Sequence, residues 1–140
     1  MASMLEEKEA IRDLLATYCF HLDGGELHKW VELFTEDGTF DVGALGKAQG
    51  HERIREFISR TRLTAGRVHG VKHCTLNSII RVTGIEARAD SYVLVVRDSG
   101  QKIDTALAGR YEDLIVKQGD AWRFKVRNVH LDIAGPTRTH

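Results

Sequence analysis

Apolar residues recur every three to four positions in the first part of the chain, which is the spacing of an amphipathic helix. This pattern predicts three helices, at about residues 5–22, 26–35 and 51–62. Between the second and third helices, turn residues precede a short predicted strand at 39–42, and a loop follows at 43–50. The N-terminal part of the chain is therefore predicted to be mainly helical.

Apolar and polar residues alternate from residue 71 onward, as they do in strands with one buried face. Four long strands are predicted, at 71–82, 87–97, 103–117 and 121–133, with short turns between them. Consecutive strands joined by short turns pair antiparallel. The prediction is an α+β fold in which three N-terminal helices pack on a strongly curved antiparallel sheet and enclose an apolar cavity.

The length and composition predict one globular domain. The chain has 140 residues, of which 42% are hydrophobic and 29% are charged, as is common for a chain that buries its own core. We assign residues 1–140 to a single domain and expect loose termini at 1–4 and 135–140.

Charge and cysteine usage narrow the choice of partners. The 20 basic and 20 acidic residues balance, so no basic field predicts nucleic-acid binding. No apolar run reaches the length of a membrane span, and the polar, acidic N-terminus does not resemble a secretory signal. Cys19 and Cys74 each lie in an apolar run and are expected to be reduced thiols, which favours a cytoplasmic location.

The motifs that hold common cofactors are absent from the sequence. It contains no Gly-x-Gly-x-x-Gly, no phosphate-binding loop and no Gly-x-Ser-x-Gly turn, which disfavours nucleotide, flavin and serine-hydrolase chemistry. His69 and His73 are four residues apart, about 13 Å along a strand, which is too far to chelate one metal ion unless the strand begins after His69. We therefore expect neither a cofactor nor a metal.

His73 is the strongest candidate for chemistry. It lies with Asn77 on the more polar face of its predicted strand, whereas Cys74, Leu76 and Ile80 form an apolar face. The apolar face would belong to the core or to a subunit interface, which suggests a homodimer or homotrimer. If the polar face lines the cavity, the imidazole is a general acid or base; the alternative is a hydrogen-bonded sheet histidine.

Asp23 and Tyr18 lie near the end of the first predicted helix. Asp23 is either a turn residue or a carboxylate that accepts a hydrogen bond from the His73 ring and stabilises its charged form. Tyr18 lies on the buried stripe of the helix, so its hydroxyl needs a partner. It is either a core tyrosine or a donor to a substrate oxygen.

A further set of aromatic and polar residues is predicted to line the cavity. Asn128 and His130 alternate with the apolar residues of the last strand, and Asp98 is either a rim carboxylate or a turn residue. The predicted pocket residues are Trp30, Phe34, Phe40, Asn77, Asp98, Tyr111, Asn128 and His130.

Several segments together resemble the SnoaL-like branch of the NTF2-like superfamily. They are Tyr18-x4-Asp23-Gly24-Gly25, the run from Trp30 to Phe40, the run from Gly50 to Ile58, His73-x3-Asn77, the run from Gly109 to Asp113 and the run from Gly119 to Phe124. The resemblance covers about residues 5–132 and implies a cone-shaped fold with a cavity between helices and sheet.

Within that superfamily, the chain is similar to cofactor-free lyases such as scytalone dehydratase, bile-acid 7α-dehydratase and hexachlorocyclohexane dehydrochlorinase. By resemblance, His73 would be the base, Asp23 its orienting partner and Tyr18 an acid or oxygen-binding donor. Some relatives place an arginine on the last strand, where the approximate position here reads His130-Leu131. The steroid-isomerase pattern is disfavoured, because Val42 occupies the position of its carboxylate base.

The predicted function is a cofactor-independent lyase that acts on a small hydrophobic, cyclic substrate through a His–Asp dyad. Two alternatives remain at this point. One is an isomerase or polyketide-type cyclase that uses the same dyad. The other is a non-catalytic module for ligand binding or dimerisation.

Overall fold

A computed structural model describes residues 2–61 and 70–134 of the chain. The helices are α1 (Met4–Asp23), α2 (Leu27–Val31) and α3 (His51–Arg60). The strands are β1 (Phe34–Asp41), β2 (Lys47–Gln49), β3 (Val71–Thr83), β4 (Glu86–Asp98), β5 (Ile103–Gln118) and β6 (Ala121–Ala134). The expected loose C-terminus, 135–140, lies outside the described residues. At the other end, Met4 already belongs to α1, and the Ser3 hydroxyl caps this helix by accepting from the Glu6 N–H.

The sheet has six strands in the order β2-β1-β6-β5-β4-β3. The four long strands pair antiparallel, which confirms the predicted meander. The first strand was not expected in this place: β1 pairs parallel with β6, and β2 adds antiparallel to β1, so the sheet is mixed. The helices lie against this sheet, α1 next to β3 and α3 next to β1 and β2.

The second helix is shorter, and the first strand longer, than the apolar spacing predicts. The helix ends at Val31, and the strand begins at Phe34, which pairs with Phe124 of β6. The Phe34 and Phe124 rings lie 5.4 Å apart, and the Phe124 N–H donates to the Leu33 carbonyl. Packing on the sheet therefore overrides the helical spacing of this segment.

A β-bulge in β6 decides which side chains of this strand enter the core. Leu114 pairs with Val126, but the next residue, Ile115, pairs with Phe124, so Lys125 is an extra residue in β6. A one-residue shift moves every later side chain to the opposite face. Arg127 is consequently buried after the bulge, although the uninterrupted alternation would expose it.

A second bulge, in β3, has the same effect next to His73. Leu76 pairs with Tyr92 and Ile79 with Asp90, so β3 carries one extra residue. Asn77 adopts a φ of 58° at this point. Ile80 is buried as a result, whereas Leu76, predicted on the same apolar face, is exposed.

Aromatic rings fill the space between α1, α2 and the sheet. The Trp30 ring lies 5.4 Å from Tyr18 and 5.6 Å from Phe40. Edge-to-face and tilted pairs of this kind each contribute about 0.5–1.5 kcal/mol beyond burial. This aromatic core fixes α1 on the sheet and so fixes the end of the helix that carries Asp23. Among the described residues, no helix is long and apolar enough to cross a membrane.

Candidate acid–base site

Asp23 and His73 form a buried pair between α1 and β3. Asp23 is the last residue of α1, and His73 is the third residue of β3. The His73 Nδ1 and the Asp23 Oδ1 are 2.5 Å apart, and their side chains are only 5% and 10% exposed. The backbone N–H of His73 donates to the second oxygen of the same carboxylate at 2.9 Å. The structure therefore brings together two residues that are fifty positions apart in the sequence.

This arrangement fixes the chemical state of the imidazole ring. A carboxylate that accepts from the backbone N–H and from Nδ1–H holds the ring in one orientation and one tautomer. The lone pair then lies on Nε2, which is the atom able to take a proton. When it does, Asp23 compensates the positive charge of the imidazolium. The geometry is that of a general base with an orienting carboxylate.

His73 separates two spaces of very different size. On one side is a narrow apolar pocket between the helices and the sheet, which we call the inner cavity; its volume is about 30 Å³. Its walls are formed by His73 together with Tyr18, Leu22, Phe40, Val42, Leu45, Phe57, Val93, Val95, Leu107, Tyr111, Val129 and Leu131. On the other side is an open channel of about 900 Å³ along α1 and β3, which we call the outer groove. Both Asp23 and His73 border the outer groove.

The inner cavity is apolar, as expected, but it is too small for a cyclic substrate. A volume of about 30 Å³ holds one or two waters, whereas sites for small molecules typically measure about 300–1,000 Å³. Within the part of the chain that the structure describes, only the outer groove offers His73 a space of that size. The dyad thus borders both the expected apolar cavity and an outer groove of substrate size.

Tyr18 lies on the inner side of the site. Its ring is buried, borders the inner cavity and lies edge-on to the Tyr111 ring, with 5.8 Å between the ring centres. Burial raises the pKa of both phenols. They are therefore uncharged at neutral pH and can act as hydrogen-bond donors.

A second buried ion pair lies beneath these tyrosines. Arg127 donates from Nε and Nη2 to the two carboxylate oxygens of Asp113, at 3.0 and 3.3 Å, and both side chains are 0% exposed. The guanidinium lies 3.4 Å from the centre of the Tyr111 ring and 4.1 Å from that of Tyr18. Such cation–π contacts are strong when they are desolvated.

Burial and the partner's charge act in opposite directions on each member of this pair. Burial raises the pKa of Asp113 to about 6, although the charge and hydrogen bonds of Arg127 oppose the shift. Burial acts to lower the pKa of Arg127, but Asp113 and the two phenols outweigh it, so that pKa rises. The arginine stays charged, and its Nη1 has no hydrogen-bond partner among the described residues.

Arg127 is not among the residues predicted from the sequence. The resemblance to relatives placed the last-strand position at His130-Leu131, three residues after Arg127. The available signal was a charged residue opposite Asp113 across a hairpin, but the one-residue insertion at Lys125 hides that pairing in the sequence.

The structure places the other predicted pocket residues in three environments. Phe40 and Tyr111 border the inner cavity. Trp30 and Phe34 are fully buried behind it and do not border it. The remaining four residues lie away from the cavity: Asn77, Asp98, Asn128 and His130.

Local geometry explains each of these four corrections. Asn77 is exposed at the β3 bulge, and Asp98 accepts from the Gly100 N–H in a turn, at 2.8 Å. Asn128 and His130 follow the β6 bulge and point to the opposite face from Arg127, where His130 lies 3.4 Å from Glu112. They cannot contact a molecule bound at His73 from the inner cavity.

The described residues contain no group of three or more His, Cys, Asp or Glu placed to hold a metal ion. Cys19 and Cys74 are both free thiols. Cys19 lies beside the dyad, with its Sγ 3.3 Å from the Thr75 hydroxyl, and burial raises the pKa of its thiol. Its thiol is therefore uncharged at neutral pH, and the groups with acid–base capacity at this site are His73 and Asp23.

A family model of the SnoaL-like domain matches residues 3–128, and the chain belongs to this family. The small subunit of anthranilate 1,2-dioxygenase from Burkholderia cepacia is 28% identical over 129 residues, which cover 82% of this chain and 80% of that protein. The resemblance inferred from the sequence motifs is confirmed.

Solved structures share the fold over nearly the whole chain. An NTF2-like protein with a cystatin-like fold from Novosphingobium aromaticivorans is 26% identical, with a TM-score of 0.83 over 92% of this chain and 84% of that one. A candidate scytalone dehydratase from the same organism is also 26% identical, with a TM-score of 0.81 over 97% and 91% of the two chains.

Proposed function

We propose that this SnoaL-like protein is a cofactor-independent lyase that removes a leaving group from a small hydrophobic, cyclic molecule. The observation that carries the proposal is the 2.5 Å contact between the His73 Nδ1 and the Asp23 Oδ1 at the wall of the outer groove. The similarity to a candidate scytalone dehydratase supports a dehydratase-type reaction.

In the proposed reaction, the His73 Nε2 removes a proton from a carbon next to a carbonyl group. The electrons of the broken C–H bond form the new double bond, and the bond to the leaving oxygen breaks. The imidazolium, balanced by Asp23, then returns its proton to the departing hydroxide, so that water is released. General acid–base assistance of this kind contributes about 10²–10⁴-fold in rate, which suits an acidic C–H.

Tyr18 is assigned a supporting role. Because Tyr18 borders the inner cavity and not the outer groove, its hydroxyl does not face a substrate bound beside His73 in the groove. We assign it the positioning of α1, through ring contacts with Trp30 and Phe124. In this scheme His73 carries out both proton transfers.

The experiment is an elimination assay with a panel of cyclic β-hydroxy ketones, read by mass spectrometry as the loss of one water. We expect His73→Gln to lower kcat by about 10²–10⁴-fold. The matched control is His130→Gln, which changes a histidine on the outer face of the sheet and should leave kcat unchanged. Full activity of His73→Gln would exclude the mechanism, and a product of unchanged mass would indicate an isomerase or cyclase instead.

A second candidate function follows from the similarity to a dioxygenase small subunit. In that case the chain would be a non-catalytic subunit of a ring-hydroxylating enzyme, and the narrow inner cavity is consistent with such a role. His73 and Asp23 would then join α1 to β3 without doing chemistry. His73→Gln would lower stability in this case, and no compound in the panel would lose water in the presence of the unmodified protein.

A further inference from the structure

The outer groove combines an apolar floor with an unbalanced positive charge. Leu15 and Ala16 of α1 form part of its apolar wall, and Arg12 and Lys72 bring two cations to it. Its single acidic residue is Asp23, whose two oxygens are already bound to His73. The groove therefore presents positive charge that its own residues do not neutralise.

Among the described residues, acidic side chains outside the groove neutralise little of the charge of Arg12 and Lys72. Arg12 has one distant partner, Glu9, at 3.7 Å on the exposed side of α1. Lys72 has no ion-pair partner among residues 2–61 and 70–134. Exposed pairs such as Arg12–Glu9 are weak, so both cations remain able to bind an anion.

The groove also offers an aromatic surface next to the dyad. Phe20 lies one turn before Asp23 on α1, borders the groove and is 79% exposed. Covering a large, water-exposed apolar ring with another ring is energetically favourable. From Asp23 back to Arg12 is eleven residues of helix, about 16 Å at 1.5 Å per residue, which is the length of a ring system with a side arm.

We propose that the outer groove binds an amphipathic anion, in which an apolar ring packs on Phe20 beside His73 and a carboxylate, sulfonate or phosphate group lies in the positive field of Arg12 and Lys72, one at each end of the groove. This inference deepens the proposed function, on which it rests for the identity of the reacting group, by naming the substrate class. The substrate is a cyclic acid or a cyclic compound carried on an acidic arm, and the anion sets its orientation towards Nε2.

The test compares two fluorescent probes that share an aromatic ring system. The probe 8-anilinonaphthalene-1-sulfonate carries an anion, and N-phenyl-1-naphthylamine is its neutral counterpart. We expect the unmodified protein to bind the sulfonate more tightly. In the variant Arg12→Gln/Lys72→Gln, the affinity for the sulfonate should fall by about threefold to thirtyfold, while the affinity for the neutral probe stays constant.

Two further variants define the control and the ring contact. Arg53→Gln/Lys125→Gln removes two exposed cations outside the groove and should change neither affinity. Phe20→Ser should weaken the binding of both probes. Equal affinity for both probes in the unmodified protein, or an equal loss in the groove variant and its control, would overturn the inference.

The binding test is independent of catalysis. His73→Gln should retain the preference for the sulfonate, because the cations and Phe20 are unchanged. If that variant loses elimination activity and no protein prefers either probe, anion binding in the outer groove is refuted and the lyase proposal is supported. If the sulfonate is clearly preferred and His73→Gln keeps full activity, the lyase mechanism is refuted and anion binding in the groove is supported.

Discussion

The protein buries two carboxylates against cationic or ionisable partners, and the two sites have opposite surroundings. Asp23 and His73 lie at the edge of the sheet, where the pair borders a groove of about 900 Å³. Asp113 and Arg127 lie between the central strands β5 and β6, sealed by the rings of Tyr18, Tyr111 and Phe124. Burial alone therefore does not distinguish a reactive pair from a structural one. The distinction depends on whether a substrate can reach the pair and on which residue accompanies the carboxylate.

The partners differ in what they can do. A histidine changes its charge near neutral pH, so a buried pair that a substrate can reach can transfer a proton. An arginine remains charged, and a sealed pair can only hold its neighbours in place. We accordingly assign chemistry to the edge pair, and we assign the positioning of Tyr18 and Tyr111 to the central pair.

The variant with the largest expected effect is the one that breaks the central pair of Asp113 and Arg127. Asp113→Asn leaves the Arg127 charge buried without a counter-charge, and we expect the free energy of unfolding to fall by about 3–5 kcal/mol. Urea denaturation at neutral pH measures the change. The control is Glu112→Gln, the adjacent residue on the outer face, which should change stability by less than about 0.5 kcal/mol. Equal small losses in both variants would show that Arg127 finds another partner.

Breaking the edge pair of Asp23 and His73 should affect catalysis more than stability. Asp23→Asn removes the charge that stabilises the imidazolium and weakens control of the ring tautomer, so we expect kcat to fall by about 10–100-fold. Stability should fall by only about 1 kcal/mol, the worth of a weakened hydrogen bond. The change in kcat is measured with a substrate from the elimination panel. The change in the free energy of unfolding is measured by urea denaturation of the same samples. Asp13→Asn, an exposed change on α1, is the control.

If Asp23→Asn destabilised the protein as strongly as Asp113→Asn while sparing kcat, the distinction between the two pairs would fail. The edge pair would then be a structural link between α1 and β3.

A smaller effect concerns Glu7, a carboxylate outside both buried pairs. It accepts from the Lys117 Nζ and from the Trp122 indole N–H, each at 2.6 Å, and the hydrogen bond from Lys117 is the main cause of its lowered pKa. A lowered pKa in the folded state stabilises the protein above the unfolded value of about 4.3, and this contribution is lost as the pH falls through the folded pKa.

Glu7→Gln should therefore lower the melting temperature at pH 7 and leave it unchanged at strongly acidic pH. Melting curves of the variant and the unmodified protein across this pH range provide the measurement. A difference that is constant with pH would mean that the hydrogen bond to Trp122, and not the charge, is what matters.

Local patterns determined most of the fold that could be predicted. The α1 stripe of Ile11, Leu14 and Leu22 and the four long strands follow directly from their spacing, because each repeats over three or more turns or strand positions. The parallel pairing of β1 with β6 could not be read in this way, since it depends on contacts between residues about ninety positions apart.

The site was predicted where local pattern and resemblance agreed, and missed where a bulge intervened. The approach of Asp23 to His73 is present in the structure as expected. Asn128 and His130 were expected on the cavity wall, but one extra residue, Lys125, reverses the alternation, turns them away from the cavity and buries Arg127. Nothing in the composition around Lys125 indicates an insertion, so this error is specific to sequence reasoning on bulged strands.

The second hydrogen bond of Asp23 has a consequence for the solution behaviour of the protein. β3 is the outermost strand of the sheet, and an outermost strand offers free N–H groups to which strands of other molecules can add. The Asp23 carboxylate occupies one of these positions by accepting from the His73 N–H. In the proposed mechanism, the carboxylate that orients the base thus also occupies a hydrogen-bonding position on the open edge of the sheet, so catalysis and resistance to self-association would depend on one side chain.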